Sequence, residues 1–425
     1  MTETPFHDLS DPELESLNTL QALFNQDQSP LKADLMCGVY RTDEGKPFVL
    51  PAVKQARELL YNDPLWDHEY PPSHIGTQHF RDLTSRLILG GESSNIKDKC
   101  IVTIQTLGGS GACHMGAVFL DRHYSPWKKG APKRVYIPKE TWTNHPNVFR
   151  YLNIAVSNLP YYSPKSGAVA FSELKDALNQ IPNQSVVVLQ VAANNPTGCD
   201  LSQEQWNSLV DDFRRKGHFA FFDAAYLGFA SGDYDRDSAP LRLFVEKGIP
   251  MLCATSYGKT FGIYGERIGS LSIPLPTADL AKKTEKHMKL LARAETGAMP
   301  VFGSKLVESI LGFENLAKEW KSNLQTMAAE LKRRRLHLRT LLEELDTPRD
   351  WSFLTTQAGM FSYTGLSSGQ IDMLRESFHV YLQDTGRLSI AGLTKSNISH
   401  VARSIDAVVR HSQFSESTDT KVIQQ

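Results

Sequence analysis

The sequence predicts an α/β protein built on a largely parallel sheet with helices on both faces. Two observations predict it. Between about residues 80 and 275, short β-branched apolar runs alternate with stretches of helical spacing. Polar or glycine-rich turns then close the runs one after another, so candidate chemistry gathers at one edge of the sheet, where ligands of open α/β sheets bind.

The elements follow in order along the chain. The first thirty residues read as an arm or short helix. ADLMCGVYRTDEGKPFVLP reads as an extended segment with a turn at DEG, and PAVKQARELLYN has the apolar spacing of a helix. DPLWDHEYPPSHIGTQ is a loop that carries Tyr70. FRDLTSRLILG is helical, and CIVTIQTL is a strand that ends in GGSGA before a helix, CHMGAVFLDRHY. RVYIP is a short strand and NVFRYLN a helix. SVVVLQVAA is a strand ending at NNPTG, and LSQEQWNSLVDDFRRKG is an amphipathic helix. HFAFFDAAY and IPMLCATS are strands. From about 276 to 345 the pattern is helical and long, with KLVESILGFENLAKEWKSNLQTMAAELKRRRLHLRTLLEEL covering many turns. WSFLTTQAGMFSYTGL, IDMLRESFHVYLQDTGRLSIAGL and ISHVARSIDAVVRHS form a small α/β unit that can pair with the N-terminal segment. The last dozen residues are polar and expected to be loose. The division expected is 1–50 as arm and part of a small domain, 51–320 as a large cofactor-binding domain, and 321–425 as a small C-terminal domain.

Composition excludes several function classes. The 425 residues carry a net charge of −1, without the basic excess of a nucleic-acid binder. No apolar run is long enough to span a bilayer. MTETPFHDLSDPELESL is acidic and polar, unlike a signal or transit peptide. Cys37, Cys100, Cys113, Cys199 and Cys253 are scattered with no CxxC spacing, so they read as reduced thiols and not as a disulfide frame or zinc site. A cytoplasmic location is expected.

The stretch TSYGKTFGIYGERIGS, Thr255 to Ser270, concentrates the chemistry. It places Lys259 among small and hydroxyl residues directly after a buried strand, with Ser256 before it and Arg267 after it. A nucleophilic amine beside an anion site is what a pyridoxal phosphate enzyme requires. Ser110 and the glycines of GGSGA can place N–H groups and a hydroxyl around a phosphate. Asp223 ends an apolar run, where a carboxylate is costly unless it meets a cation, and a protonated pyridine nitrogen would be one. Tyr226 and Asn195 can hydrogen-bond a phenolate oxygen, Trp142 can stack on a flat ring, and His145 can orient Asp223. Arg387 and Arg293 are candidate carboxylate binders. Each residue also has an ordinary explanation, in a turn, a core or a solvated helix face; the clustering at strand ends is what favours a site.

These residues resemble the aspartate aminotransferases, pyridoxal phosphate enzymes of fold type I. The resemblance runs from about Leu31 to Val409 through GVYRTDEGKPFVLP, the Tyr70 loop, ETWTNHPNVFR, NNPTG, FFDAAYLGFASG, SYGKTFGIYGERIGSL, QAGMFSYTGL and GRLSIAGL. It implies a large domain with a mostly parallel seven-stranded sheet and a smaller α/β domain. It implies that Lys259 forms the Schiff base with pyridoxal 5′-phosphate and then shuttles the proton between Cα and C4′. Asp223 would pair with the pyridine nitrogen, Asn195 and Tyr226 would hold O3′, and Trp142 would stack on the ring. Gly109, Ser110, Ser256 and Arg267 would hold the phosphate, joined by Tyr70 of a second copy. Arg387, with Asn195, Trp142 and the Gly38 amide, would bind the substrate α-carboxylate, and Arg293 would reach across a homodimer to the distal carboxylate. No metal is implied. The activity implied is transfer of an amino group between aspartate, or a similar acidic amino acid, and 2-oxoglutarate through a pyridoxamine phosphate intermediate.

Four departures from the family pattern stand out. Gly108-Gly109-Ser110-Gly111-Ala112 replaces the usual SGTGA, and Cys113-His114 replaces Leu-Arg. Asn194 stands where a histidine is usual. Gly297-Ala298-Met299-Pro300 replaces a Ser-Asn-Pro-Pro segment beside the expected distal-carboxylate side. That change keeps open a specialised reaction on an aspartate-like amino acid, such as β-elimination, decarboxylation or transamination with an altered range. A catalytically silent binding protein on the same scaffold is the further alternative, and intact Lys259, Asp223, Tyr226 and Arg387 weigh against it.

Overall fold

Val186–Gln190 is buried at every residue and Phe219–Ala224 at every residue after Phe219, and each of their two alternating faces enters a core of its own. In the computed structural model, which describes residues 6, 8–10 and 16–422, these two segments lie in the middle of a seven-stranded sheet. Its strands are β1 (Ile101–Leu107), β2 (Arg134–Pro138), β3 (Ala155–Leu159), β4 (Val186–Gln190), β5 (Phe219–Ala224), β6 (Met251–Ser256) and β7 (Ile268–Pro274). The order across the sheet is β1-β7-β6-β5-β4-β2-β3. β3, β2, β4, β5 and β6 pair in parallel, whereas β7 runs antiparallel to both β6 and β1.

The period-2 alternation of strand side chains divides the core. Val187, Leu189, Ala220, Phe222 and Cys253 enter one apolar cluster, which Trp206, Leu209 and Phe213 of the helix Gln203–Lys216 help to build. Val186, Val188, Phe221, Leu252 and Ala254 enter the other, with Met115 and Val118 of the helix Gly108–His123 and Met288 of the helix Ala278–Thr296. Each large apolar side chain buried this way contributes about 1.5–3 kcal/mol. Local signals set the ends of Gln203–Lys216: Ser202 and Gln205 form a reciprocal capping box, and Gly217 ends it at φ 64°, ψ 29°.

The five strands read from the sequence are all present. β3 and β7 were not anticipated: β3 is a short edge strand of mixed character, AVSNL, and β7 was absorbed into the Lys259 stretch. The long helical stretch is also corrected. Ala278–Thr296 stops at Gly297 with φ 73°, and the run beyond it is two helices, Phe302–Gly312 and Glu314–Glu344, separated by an extended Phe313. The helix Gly108–His123 begins on the glycines themselves, earlier than expected.

Outside this sheet, Ala33–Asp34 pairs in parallel with Val380–Tyr381, and Phe361–Tyr363 pairs antiparallel with Arg387–Ser389. The Ser389 amide donates to the Leu35 carbonyl at 2.8 Å, so the N-terminal segment does pair with the C-terminal unit. A helix, Ser16–Gln26, lies in the expected arm; residues 1–5, 7 and 11–15 of that arm lie outside the described residues. The tail expected to be loose continues as helix to Val422, and 423–425 lie outside the described residues. No helix among the described residues is long and apolar enough to cross a membrane.

Candidate active site

The carboxyl ends of β1, β4, β5 and β6 meet at one edge of the sheet. There Gly109, Ser110, Trp142, Asn195, Asp223, Tyr226, Ser256, Lys259 and Arg267, all singled out in the sequence, line one cleft together with Ala225.

Asp223 occupies the next-to-last position of β5, flanked in register by Gln190 of β4 and Ala254 of β6. Its carboxylate is buried, and His145 Nε2 lies 3.1 Å from one oxygen, off a hydrogen-bonding alignment. The other ring nitrogen of His145 meets the Thr141 hydroxyl at 2.8 Å, and the Trp142 ring stands edge-on to the imidazole at 5.3 Å. Cys113 completes the group, with donor atoms of Cys113, His145 and Asp223 within 4.8 Å of one another. Burial pushes the Cys113 thiol well up, and the Asp223 charge adds to this. Three such atoms could ligate a soft cation, but doing so would consume the carboxylate that faces the cleft.

Lys259 sits on the turn Tyr257–Thr260 that leaves β6, with its ammonium 5.5 Å from the centroid of the Tyr226 ring. Burial lowers its pKa below the ordinary lysine value; Asp223 opposes that shift and Arg267 reinforces it. Burial raises the Tyr226 phenol, so at neutral pH its hydroxyl keeps its proton and can donate.

An anion cradle lies beside the lysine. Arg267 takes a left-handed backbone conformation at φ 53°. A Cβ on Gly108, itself at φ 69°, would stand 2.7 Å from an Arg267 Nη, and one on Gly109 would stand 3.0 Å from Ser256 Cβ. The positive φ at Gly108 favours glycine, and a side chain at either position would push the guanidinium or the serine back from the helix N-terminus.

Arg387 forms the neighbouring charge. It is buried, stacks 4.1 Å from the centroid of Phe361, and donates through Nη1 to Asn195 Oδ1 at 2.9 Å. A guanidinium only donates, so this contact fixes the Asn195 amide with its NH₂ end turned the other way. Gly38 sits close by: a Cβ there would lie 2.5 Å from Phe361 Cζ and 3.3 Å from the Tyr226 hydroxyl.

Two predicted residues stay out of the cleft of their own chain. Tyr70 is 83% exposed on its loop, and Arg293 is exposed near the end of Ala278–Thr296, bonded to His74. The sequence reading missed the supports. Gln190 clamps the Asn195 backbone in both directions, at 2.9 and 2.8 Å, and Asp200 accepts from the amides of Ala193 and Asn194. A polar residue closing the apolar run VVVLQ, and an acid just after NNPTG, were the available signals.

The family model for aminotransferase class I and II matches residues 31–405. The chain is 39% identical over 386 residues to a cytoplasmic aspartate aminotransferase of Oryza sativa subsp. japonica, covering 91% of this chain and 93% of that one. Among solved structures it is similar to the aspartate aminotransferase from Saccharomyces cerevisiae cytoplasm, with TM-score 0.92, 35% identity and coverage of 96% and 99%. It is also similar to an aromatic-amino-acid aminotransferase from Burkholderia pseudomallei covalently bound to pyridoxal phosphate, with TM-score 0.91, 33% identity and coverage of 96% and 100%.

Proposed function

The chain belongs to the class I and II aminotransferases, and we propose that it uses pyridoxal 5′-phosphate to exchange an amino group between an acidic amino acid, most simply aspartate, and 2-oxoglutarate. One observation carries the reading: a half-buried amine, a buried carboxylate and an anion cradle converge in one cleft with a buried arginine beside them. The donor set fits the cofactor. Gly109, Ser110, Ser256 and Arg267 would hold its phosphate, Asp223 its protonated ring nitrogen, Asn195 and Tyr226 its phenolate oxygen, and Trp142 its face.

When bound, the cofactor supplies an aldehyde for the amino group and a ring that stabilises negative charge at the substrate Cα. The chain's own residues do the rest. Lys259 Nζ, whose pKa burial lowers below the ordinary lysine value, would be the amine that bonds the aldehyde and moves the proton at the substrate Cα. The Asp223 carboxylate, with the His145 imidazole behind it, would pair with the protonated ring nitrogen. Arg387, braced on Asn195 and Phe361, would orient the α-carboxylate.

The exposure of Tyr70 and Arg293 supports a homodimer in which each chain lends these two residues to the other's cleft. Two arginines then match the two carboxylates of a dicarboxylic substrate. The cytoplasmic location and the division at residues 50 and 320 remain part of this proposal.

The test is a half-reaction screen. Aspartate, glutamate and cysteine sulfinate are mixed singly with the holoenzyme, and loss of the aldehyde-form absorbance is followed. Conversion by none of the three overturns the reading. Release of ammonia or carbon dioxide without need of a 2-oxo acid would assign elimination or decarboxylation instead.

A further inference from the structure

The loop that carries Tyr70 and the segment that follows Arg293 are tied together within one chain. Trp66 meets Phe302 edge-on with centroids 6.0 Å apart, the Thr77 hydroxyl bonds the Glu308 carboxylate, and Gln105 of β1 bridges the two, its amide donating to the Ile75 carbonyl at 2.9 Å and its Nε2 to the Pro300 carbonyl at 2.7 Å. His74 makes a fourth tie. Its Nδ1 lies 2.6 Å from the Gly297 carbonyl oxygen, and its Nε2 lies 3.2 Å from Arg293 Nη1.

A carbonyl only accepts and a guanidinium only donates. The two contacts therefore select one form of the ring, neutral, with the proton on Nδ1 and the lone pair of Nε2 facing Arg293. Gly297 makes the arrangement possible, because its φ of 73° ends the helix four residues after Arg293 and presents its carbonyl to the imidazole. The Gly297-Ala298-Met299-Pro300 segment thus coincides with a hydrogen-bond relay from the Gly297 carbonyl through His74 to Arg293.

We infer that His74 is a positioning residue for Arg293, and through it a determinant of preference for a substrate with a distal carboxylate. The inference rests on the assignment of Arg293 to that carboxylate in the partner's cleft. An exposed arginine loses much rotamer freedom when it binds, and a fixed acceptor on one N–H removes part of that loss beforehand. A neutral imidazole does this without cancelling the positive charge. The guanidinium keeps its remaining donors for a carboxylate.

The test compares holoenzyme half-reactions with aspartate and with alanine, which differ only in the distal carboxylate. His74→Leu is expected to raise KM for aspartate about tenfold while kcat moves less than about twofold and kcat/KM for alanine stays level. His74→Gln, with one donor and one acceptor, should recover most of the aspartate KM, and no recovery counts against the inference. His74→Ala gives the same comparison should the leucine variant not fold. An unmoved aspartate KM in His74→Leu beside a raised one in Arg293→Ala overturns the role of His74 alone. An aspartate KM that Arg293→Ala leaves unmoved overturns the assignment of Arg293, and the inference with it. Equal losses on both amino acids mark His74 as a general structural support and also overturn it.

Discussion

The Nε2 atom of His145 lies 3.1 Å from a carboxylate oxygen of Asp223, with both side chains buried at the head of β5. A buried carboxylate needs positive charge or donors nearby. Since the imidazole is off hydrogen-bonding alignment, the acid retains its capacity for a cation entering from the cleft. Asp223→Asn removes that capacity at nearly constant volume. The aspartate half-reaction should slow by at least about a hundredfold, roughly 2.7 kcal/mol in the barrier, whereas His145→Gln should cost about tenfold. Equal rates for Asp223→Asn and the parent would contradict the placement of the ring nitrogen at this residue.

Lys259 bears its pKa shift through burial first, and the sign decides two outcomes. A lysine whose folded pKa is depressed carries its full penalty at pH below that folded value, and the penalty disappears as pH rises toward the ordinary 10.5. The apoprotein of Lys259→Ala should therefore unfold at a temperature equal to or above that of the parent at neutral pH. Covalent capture of the cofactor by the parent should have an apparent midpoint below 10.5. A midpoint at the ordinary value, or turnover surviving in Lys259→Ala, would remove the lysine from the chemistry.

Gly108 and Gly109 test the anion cradle by size. At Gly108 a methyl group meets both a positive φ of 69° and an Arg267 nitrogen at 2.7 Å; at Gly109 it meets only Ser256 Cβ at 3.0 Å. Gly108→Ala should cost about 1 kcal/mol of stability from the backbone alone. It should weaken cofactor affinity about tenfold by displacing the guanidinium. Gly109→Ala should weaken it less. Fluorescence titration of the apoproteins measures both, and the reverse ranking would show that Arg267 is not held against Gly108 when the cofactor binds.

The readable parts of this chain were those encoded locally. Asp223 stood out because an acid closing FAFFDAAY has few reasons to be there, and Lys259 because it sits among small and hydroxyl residues shortly after an apolar run. β5 and β6 were legible for the same reason. β7 was not, because its alternation of small and apolar residues, IGSLSIP, lies so close to the functional stretch that it read as part of it. The supports were hidden for another reason. Gln190 acts on Asn195 from five positions back, and His74 reaches Arg293 across 219 positions. Nothing in the residue types of either segment announces such a contact; only the folded chain brings them together.

Asp27 joins the chain's beginning to its end, and the junction should come apart in acid. Its carboxylate accepts from the Ser29 amide, the Tyr381 hydroxyl and the His379 ring, each at 2.8 Å. The Ser29 amide is the chief cause that lowers its pKa from 3.8 to about 2, helped by Tyr381 and His379. A depressed carboxylate contributes stability above its unfolded pKa and loses it as pH falls through the folded value, so the window runs from about pH 4 down to about pH 2. The adjoining segment pairs Ala33–Asp34 with Val380–Tyr381, and the Met36 carbonyl accepts from Arg387. Hydrogen exchange at 33–38 should therefore accelerate across that window before exchange in β5 does. Asp27→Asn should show the faster exchange already at pH 5 and little further change below it. If both proteins kept the same acid midpoint at 33–38, the carboxylate would not be the group that docks this segment onto the arginine strand.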